Sequence, residues 1–226
     1  MSGPRRASAW IPAAVFALDR RLCRRNGVYE FTDDPQCLFR IQCLRLESPV
    51  ALADGTRVPA GGRVLALHLW NAHVPPMERC GPTLAWACRT ERALRHSLRQ
   101  LAGYLASQAD LGDIEAICAD MRVNGAAQPR QLSRVLGRYG FEAVPGEIDR
   151  RGVWHRIGDA IFIAMLVSVT HPPALRNATL RLGNMRLWLS RSVLEQRYAP
   201  AGRRRRPLGK LCAGEREHEA GRFQGA

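Results

Sequence analysis

The stretch LALHLWNAHVPPM, residues 65–77, decides the predicted fold because a regular strand pattern ends there in a cluster of polar groups. Leucine occupies every second position from Leu65 to Leu69. Since successive strand side chains point to opposite faces, His68 and Trp70 share the other face. The two prolines that follow cannot donate ladder hydrogen bonds and end the strand. An imidazole and an indole are therefore expected at the rim of a sheet.

The residues upstream of this strand predict further β structure. The segment CLFRIQCLRLE, residues 37–47, is rich in strand formers. Between it and the quoted stretch, Asp54-Gly55 and Gly61-Gly62 are turn signals around a short extended piece. The first half of the chain is therefore expected to be rich in hairpins.

Two helices and a buried strand are predicted downstream. A long helix that Gly81 caps and Pro82 opens carries a core stripe. The strand around ICAD, a second helix opened by Pro129 and a short strand, FEAV, suggest a right-handed crossover. Gly140 is expected just past the end of the second helix. The leucines of the core stripe are Leu94, Leu98, Leu101 and Leu105.

The last third of the predicted domain contains a buried helix over residues 158–170 and a closing strand and helix within residues 184–198. Ser192 and Glu195 fit a capping box for the closing helix. The expected fold is a single α+β domain over residues 10–199, with a mixed sheet, a hairpin-rich first half, crossover helices and a C-terminal helix. A flexible N-terminus, 1–9, and a disordered Arg-rich tail, 200–226, flank it.

Composition limits the classes of function. The formal net charge is +14 and the pI about 10.8, so the chain should attract polyanions. An Arg-heavy composition without functional meaning is the alternative, since net charge does not specify an activity. Seven cysteines without a C-x-x-C pair indicate reduced thiols and a cytoplasmic location. No run has the ~20 apolar residues of a transmembrane helix. No metal site, cofactor motif or specific nucleic-acid motif is predicted.

His68 and Asp120 are the candidate catalytic residues. His68 has the side chain best suited to general acid or base work near neutral pH. Asp120 lies near the end of a buried strand, where a carboxylate is costly unless it is paired or at a rim. A half-buried histidine bonded to a carbonyl, and an Asp120 salt bridge to an arginine, are the structural alternatives.

The candidate ligand-binding residues are polar or amphipathic groups near predicted strand ends, where ligands tend to bind. An Arg191 guanidinium suits phosphate or carboxylate, although an ion pair is its structural alternative. Trp70 offers an apolar wall or a sugar-stacking face, or else fills core. The set is Trp70, Asn71, His73, His155 and Arg191.

Four segments resemble the YkoP-like domain family: DGTRVPAGGRVLALHLWNAHVPP, GPTLAWACRT, LGDIEAICADM and WLSRSVLEQRY. The LHLWN run and the terminal W-L-S-R pattern are the most specific, and the resemblance covers roughly residues 10–199. Such domains occur alone in bacteria and appended to some polysaccharide deacetylases. The resemblance implies a domain and a cell-envelope setting, and it implies no reaction.

Three functions stay open at this stage. The first is a module that binds an anionic envelope-related ligand, a glycan or lipid precursor. The second is a hydrolase or transferase with His68 as general base and Asp120 or His73 as its partner. The third is non-specific polyanion binding through arginine. The basic N-terminal segment also allows weak contact with a membrane surface, although packing onto the core is the alternative.

Overall fold

A computed structural model describes residues 17–78, 81–124, 127–144 and 182–199. Several predictions fall outside these ranges: the flexible N-terminus 1–9, the buried helix over residues 158–170, the candidate His155 and the Arg-rich tail.

A mixed five-stranded sheet forms the centre of the fold, in the strand order β1-β4-β5-β7-β6. β4 and β5 are parallel and the other neighbours are antiparallel. A small hairpin, β2–β3, is separate from it. The strands are β1 (Phe39–Arg45), β2 (Val50–Ala51), β3 (Arg57–Val58), β4 (Arg63–Leu69), β5 (Ala116–Asn124), β6 (Glu142–Ala143) and β7 (Leu182–Ser190). With its helices this is the predicted single-domain α+β fold.

Helices connect and cover the strands. Helix α1 spans residues 17–25. Helix α2 (Leu84–Ser107) links the parallel strands β4 and β5, α3 (Ala127–Gly137) links β5 to β6, and α4 (Arg191–Tyr198) directly follows β7. Among the described residues, no helix is both apolar enough and long enough to cross a bilayer.

One face of the sheet, here the helix face, carries the main core. Side chains of Ile41, Leu65, Ile117 and Leu187 pack there against α2 and α4. The predicted α2 stripe is confirmed, since Leu98, Leu101 and Leu105 are fully buried and Leu94 is partly buried against the same core. Most of the stability that burial supplies therefore comes from this layer.

The opposite face, here the hairpin face, is divided in two. At the amino ends of β4 and β5 it is apolar: Val64, Ala66 and Cys118 pack with Trp188 under the β2–β3 hairpin. Further along the same strands this face becomes polar. The hairpin therefore covers only part of the face, and the rest carries the residues of the candidate site.

Two predicted helix starts are corrected. Helix α2 is capped by Thr83, whose Oγ1 accepts from the Trp86 amide at 3.2 Å, and not by Gly81. Helix α4 is capped by Ser190, whose Oγ accepts from the Val193 amide at 3.1 Å, and not by Ser192. A hydroxyl acceptor satisfies an unpaired first-turn amide, which a glycine cannot do.

The N-terminal helix packs through polar atoms more than its sequence pattern predicts. Leu18, which packing of this helix onto the core would bury, is 41% exposed. The inward positions include Asp19, whose carboxylate is 2.6 Å from the Arg40 guanidinium. The contact onto β1 is therefore an ion pair.

Candidate functional site

Four polar side chains lie in one row across the polar part of the hairpin face. Arg40 of β1 pairs with His68 of β4, and Asp120 of β5 pairs with Arg186 of β7. The β4–β5 register ends with Leu67 beside Ala119, and His68 and Asp120 are the next residues of the two strands. We call Arg40, His68, Asp120 and Arg186 the polar row. The two predicted catalytic residues thus lie on adjacent parallel strands, each at the position that follows the last registered pair.

His68 is half-buried and held by a carboxamide. Its Nε2 donates to Oε1 of Gln42 at 2.9 Å. The orientation of that amide is fixed in turn, because its Nε2 donates to the carbonyl of Asn26 at 2.5 Å. Since an amide oxygen only accepts, the His68 proton on this side is on Nε2. At Nε2, the partner of His68 is therefore a side-chain oxygen.

Asp120 forms a two-pronged ion pair with Arg186. Nε of Arg186 donates to one carboxylate oxygen at 2.6 Å, and NH2 donates to the other at 3.0 Å. The Asp120 side chain is 40% exposed and the Arg186 side chain is 26% exposed. The salt-bridge alternative for Asp120 is therefore observed, and it lies within the candidate site.

Arg40, at the β1 end of the row, is the most buried of the four. Its NH1 lies 2.6 Å from Asp19, and its NH2 lies 3.3 Å from Glu30. The guanidinium carbon is 4.5 Å from the centroid of Trp70, a cation–π contact. The pKa of Arg40 is raised although burial lowers it, because hydrogen bonding and charge at Asp19 outweigh burial.

Trp70 and His73 form a stacked pair beyond the end of β4. Their ring centroids are 3.5 Å apart and the planes differ by 20°. His73 Nδ1 donates to the carbonyl of Cys37 at 2.9 Å, so its hydrogen bond serves the backbone. Asn71 begins the short 3₁₀ turn, Asn71–His73, that follows the strand. The indole therefore connects this turn to the Arg40 end of the polar row.

Arg191 lies at the opposite end of the sheet from the polar row. Its amide donates to the carbonyl of Glu115, immediately before β5 begins. Five residues of strand, roughly 16 Å, separate that point from Asp120. Its guanidinium donates to the carbonyls of Leu111 and Leu105 at 2.7 and 2.8 Å, and to Glu195 at 2.7 Å. Of these candidate residues, His68 and Asp120 therefore lie on neighbouring strands at one end of the sheet, and Arg191 lies at the other end.

A histidine–carboxylate pair, His96 with Asp34, lies outside the polar row. His96 Nε2 donates to Oδ2 of Asp34 at 2.6 Å, and Gln100 contacts the same oxygen at 3.3 Å. The hydrogen bond from His96 is the main reason that the pKa of Asp34 is lowered. This pair ties the loop before β1 to α2. Across the described part of the chain, no three His, Cys, Asp or Glu side chains form a group that could hold a metal ion.

Sequence inspection missed Arg40, Gln42 and Arg186 as members of the site. Arg186 has a usable signal, because it alternates with the buried Trp188 and so shares its face. Strand register, however, is set by pairing between distant segments, and no local pattern reports it.

Comparison with known proteins identifies the family. No curated protein and no solved structure matches the chain. The family model of the YkoP domain matches residues 17–198, which is most of the 226 residues. This range begins in α1, ends in α4 and contains every member of the polar row. The chain belongs to the YkoP domain family.

Proposed function

We propose that this protein is a ligand-binding module in which His68, Asp120 and Arg186, the more exposed members of the polar row, contact an anionic, hydroxyl-rich ligand, a cell-envelope glycan or lipid precursor. The observation that carries the proposal is the alignment of Arg40, His68, Asp120 and Arg186 across four adjacent strands. The row lies where the paired part of the parallel strands ends, which is where ligands bind in many sheets with parallel strands.

The chemistry of the row suits such a ligand. The Asp120 carboxylate accepts hydrogen bonds from hydroxyl groups, whereas Arg186 and His68 are donors that can meet an anionic group. The Asp120–Arg186 and His68–Gln42 contacts hold these groups in place before a ligand arrives. Such preorganisation reduces the side-chain entropy that binding removes.

The setting supports the ligand class and the compartment that we propose. The formal charge of +14 favours a negatively charged ligand over a neutral one. Cys23, Cys37, Cys43, Cys88 and Cys118 are free thiols, which suits a cytoplasmic protein. Polyanion binding through arginine alone would instead depend on total charge and would not need the row.

A matched pair of variants tests the proposal. Arg186→Gln removes the ion pair with Asp120 inside the row. Arg63→Gln makes the same charge change and removes an Arg63–Asp113 ion pair of 2.7 Å at the far end of β4. Thermal stabilisation is measured with a sugar nucleotide, a prenyl phosphate, a uronic-acid oligosaccharide and a neutral oligosaccharide. A ligand at a hundred times its Kd should stabilise the native chain by about 2.7 kcal/mol.

The expected result is that an anionic compound stabilises the native chain and Arg63→Gln, and stabilises Arg186→Gln far less. Equal losses in both variants would mean that binding reflects net charge. Stabilisation by no compound in the panel would contradict the proposed ligand class.

The enzymatic alternative uses the same residues, because His68 and Asp120 each follow the last registered pair of the parallel strands β4 and β5. Under it, His68 accepts a proton from water or a substrate hydroxyl. His68→Asn separates the two functions. A binding module should retain most ligand-induced stabilisation in this variant, whereas an enzyme should lose all turnover of a bound compound.

A further inference from the structure

A cavity of about 260 Å³ lies between α1 and β1, at the edge of the sheet. Its walls include Arg20 and Arg24 of α1, Val28, Tyr29 and Glu30 of the following loop, and Arg40 of β1. Although Arg40 belongs to the polar row, its guanidinium is held under α1 by Asp19 and Glu30. The cavity is therefore a place distinct from His68, Asp120 and Arg186.

Arg40 supplies a buried hydrogen-bond donor, Nε, that has no acceptor in the described part of the chain. Its side chain is 8% exposed, and its Nε is buried without an acceptor among the residues that the structure describes. The carboxylates of Asp19 and Glu30 engage NH1 and NH2 and leave Nε unpaired. A buried N–H without an acceptor is unfavourable, so a ligand oxygen that Nε reaches by a small shift of the Arg40 side chain would stabilise the site.

The charges around the cavity favour an anion. Three guanidinium groups line it, from Arg20, Arg24 and Arg40, against the single carboxylate of Glu30. Burial raises the pKa of the Cys23 thiol, so this lining group adds no negative charge at neutral pH. When Asp19, which pairs with Arg40 beside the lining, is counted as well, these groups carry one excess positive charge, from Arg20 and Arg24, and this excess favours an anion such as a phosphate monoester.

We propose that this cavity binds the phosphoryl group of an organic phosphate. Arg40 Nε donates to one phosphoryl oxygen, and Arg20 and Arg24 neutralise the remaining charge at the mouth. Val28 and Tyr29 provide the wall for the organic part of the ligand. The site does not depend on the polar-row ligand, because it shares only the buried Arg40 with the row.

Two double variants of the full chain test the proposal with equal changes of charge. Arg20→Gln with Arg24→Gln alters the cavity lining, whereas Arg21→Gln with Arg25→Gln alters exposed positions of the same helix outside the lining. Binding of phenyl phosphate and of inorganic phosphate is measured by calorimetry at fixed ionic strength. The first double variant should weaken binding roughly tenfold, and the second less than about twofold. Equal weakening, or no binding by the native chain, overturns the proposal.

Arg40→Lys adds a test of the donor itself. Lysine keeps the positive charge but lacks Nε–H, so phosphate binding should weaken while circular dichroism shows a retained fold. Unchanged phosphate affinity in folded Arg40→Lys overturns the assignment. If the variant does not fold, the helix variants decide.

Vesicles separate the two sources of a phosphoryl group. If the ligand is a lipid headgroup, phosphatidic acid vesicles should bind and phenyl phosphate should displace them. If the ligand is soluble, phenyl phosphate should bind and the vesicles should not. If the vesicles bind and phenyl phosphate does not displace them, binding reflects surface charge alone, and the proposal of a phosphoryl site in the cavity is overturned. Arg186→Gln should leave the binding of phenyl phosphate and inorganic phosphate unchanged. Failure of the cavity proposal can therefore be distinguished from failure of the proposed function of the polar row.

Discussion

At the residue scale, Arg191 is a buried cross-link between segments that are distant in sequence. Its guanidinium joins the C-terminal turn of α2, through the carbonyl of Leu105, to the following 3₁₀ turn, through Leu111. The carboxylate of Glu195 balances its charge within α4. The carbonyls at the end of a helix lack partners within that helix, and this side chain supplies one.

Replacing Arg191 should therefore destabilise the fold. Arg191→Ala leaves buried carbonyls and Glu195 without their partner, and we expect a loss of about 3 kcal/mol or more in urea unfolding. Arg191→Lys should recover only part of this loss, because one ammonium cannot span the same acceptors. Arg197→Ala is the control: Arg197 is exposed and donates to the carbonyl of Arg138 at 2.9 Å. Equal effects of Arg191→Ala and Arg197→Ala would contradict the cross-link.

The contrast between Arg186 and Arg191 shows what one sequence can predict of the site. Both lie in the closing segment, and sequence inspection selected Arg191 as an anion ligand. Only the register places Arg186 beside Asp120 and Arg191 at the other end of the sheet. The choice between them depends on long-range pairing, which local residue type does not contain.

At the element scale, the hairpin and α4 are joined by a carboxylate. Asp54, in the turn between β2 and β3, accepts from the Ser192 hydroxyl at 2.6 Å. Burial raises the pKa of Asp54, but hydrogen bonds from Ser190, Ser192 and Thr56 outweigh it and lower the pKa to about 2. Ser192, predicted as a helix cap, therefore binds the hairpin instead.

Asp54→Asn should lower stability only where Asp54 is ionised. Because the folded pKa is depressed, its contribution is complete above the unfolded value near 4 and is lost as pH falls through about 2. The carboxyl group is largely solvated, so the effect at pH 7 should stay under ~1 kcal/mol. Urea unfolding of both chains at pH 7 and pH 2 measures it. A variant whose deficit is unchanged at pH 2 would show that the carboxylate charge is not responsible.

Two glycines around the end of α3 should respond oppositely to alanine. Gly140 has φ +98°, and an added Cβ would lie 2.8 Å from a Val193 methyl and 3.1 Å from one of Leu189. Gly140→Ala should therefore cost about 2 kcal/mol. Gly137 ends the helix, and an added Cβ meets nothing within 4 Å, so Gly137→Ala should be neutral or stabilise by about 0.5 kcal/mol. Thermal unfolding of the two variants measures the difference. If both alanine variants were destabilised equally, the segment would simply not accept substitution, and the explanation by backbone angle and steric contact would be contradicted.

Element type was more predictable than element boundaries. The α2 stripe and the strand that carries His68 follow from periodicity, and both are present. The caps differ because Thr83 and Ser190 compete with nearby residues of similar propensity, and only the folded backbone shows which hydroxyl reaches a first-turn amide. The ion pair of Asp19 in α1 could not be predicted either, because its partner, Arg40, is 21 residues away in the sequence.

At the scale of the whole molecule, the sheet separates stability from the proposed function. The helix face carries the larger buried apolar core, whereas the hairpin covers only the apolar part of the other face. The remaining part carries the polar row, positioned by four strands that the core holds rigid. This arrangement explains how charged groups can be placed accurately while remaining partly exposed to solvent.

The most direct test uses nuclear magnetic resonance to map the binding site of the ligand that the stabilisation screen identifies. His68 and His96 provide an internal comparison, because both imidazoles are partly exposed and hydrogen-bonded at Nε2, and only His68 is in the polar row. The account predicts that titration shifts the His68 ring nitrogens and the Arg186 Nε, and leaves the His96 ring unchanged. An unshifted His68 ring with changes centred on Arg63 and Asp113, or spread evenly over the arginines, would contradict it.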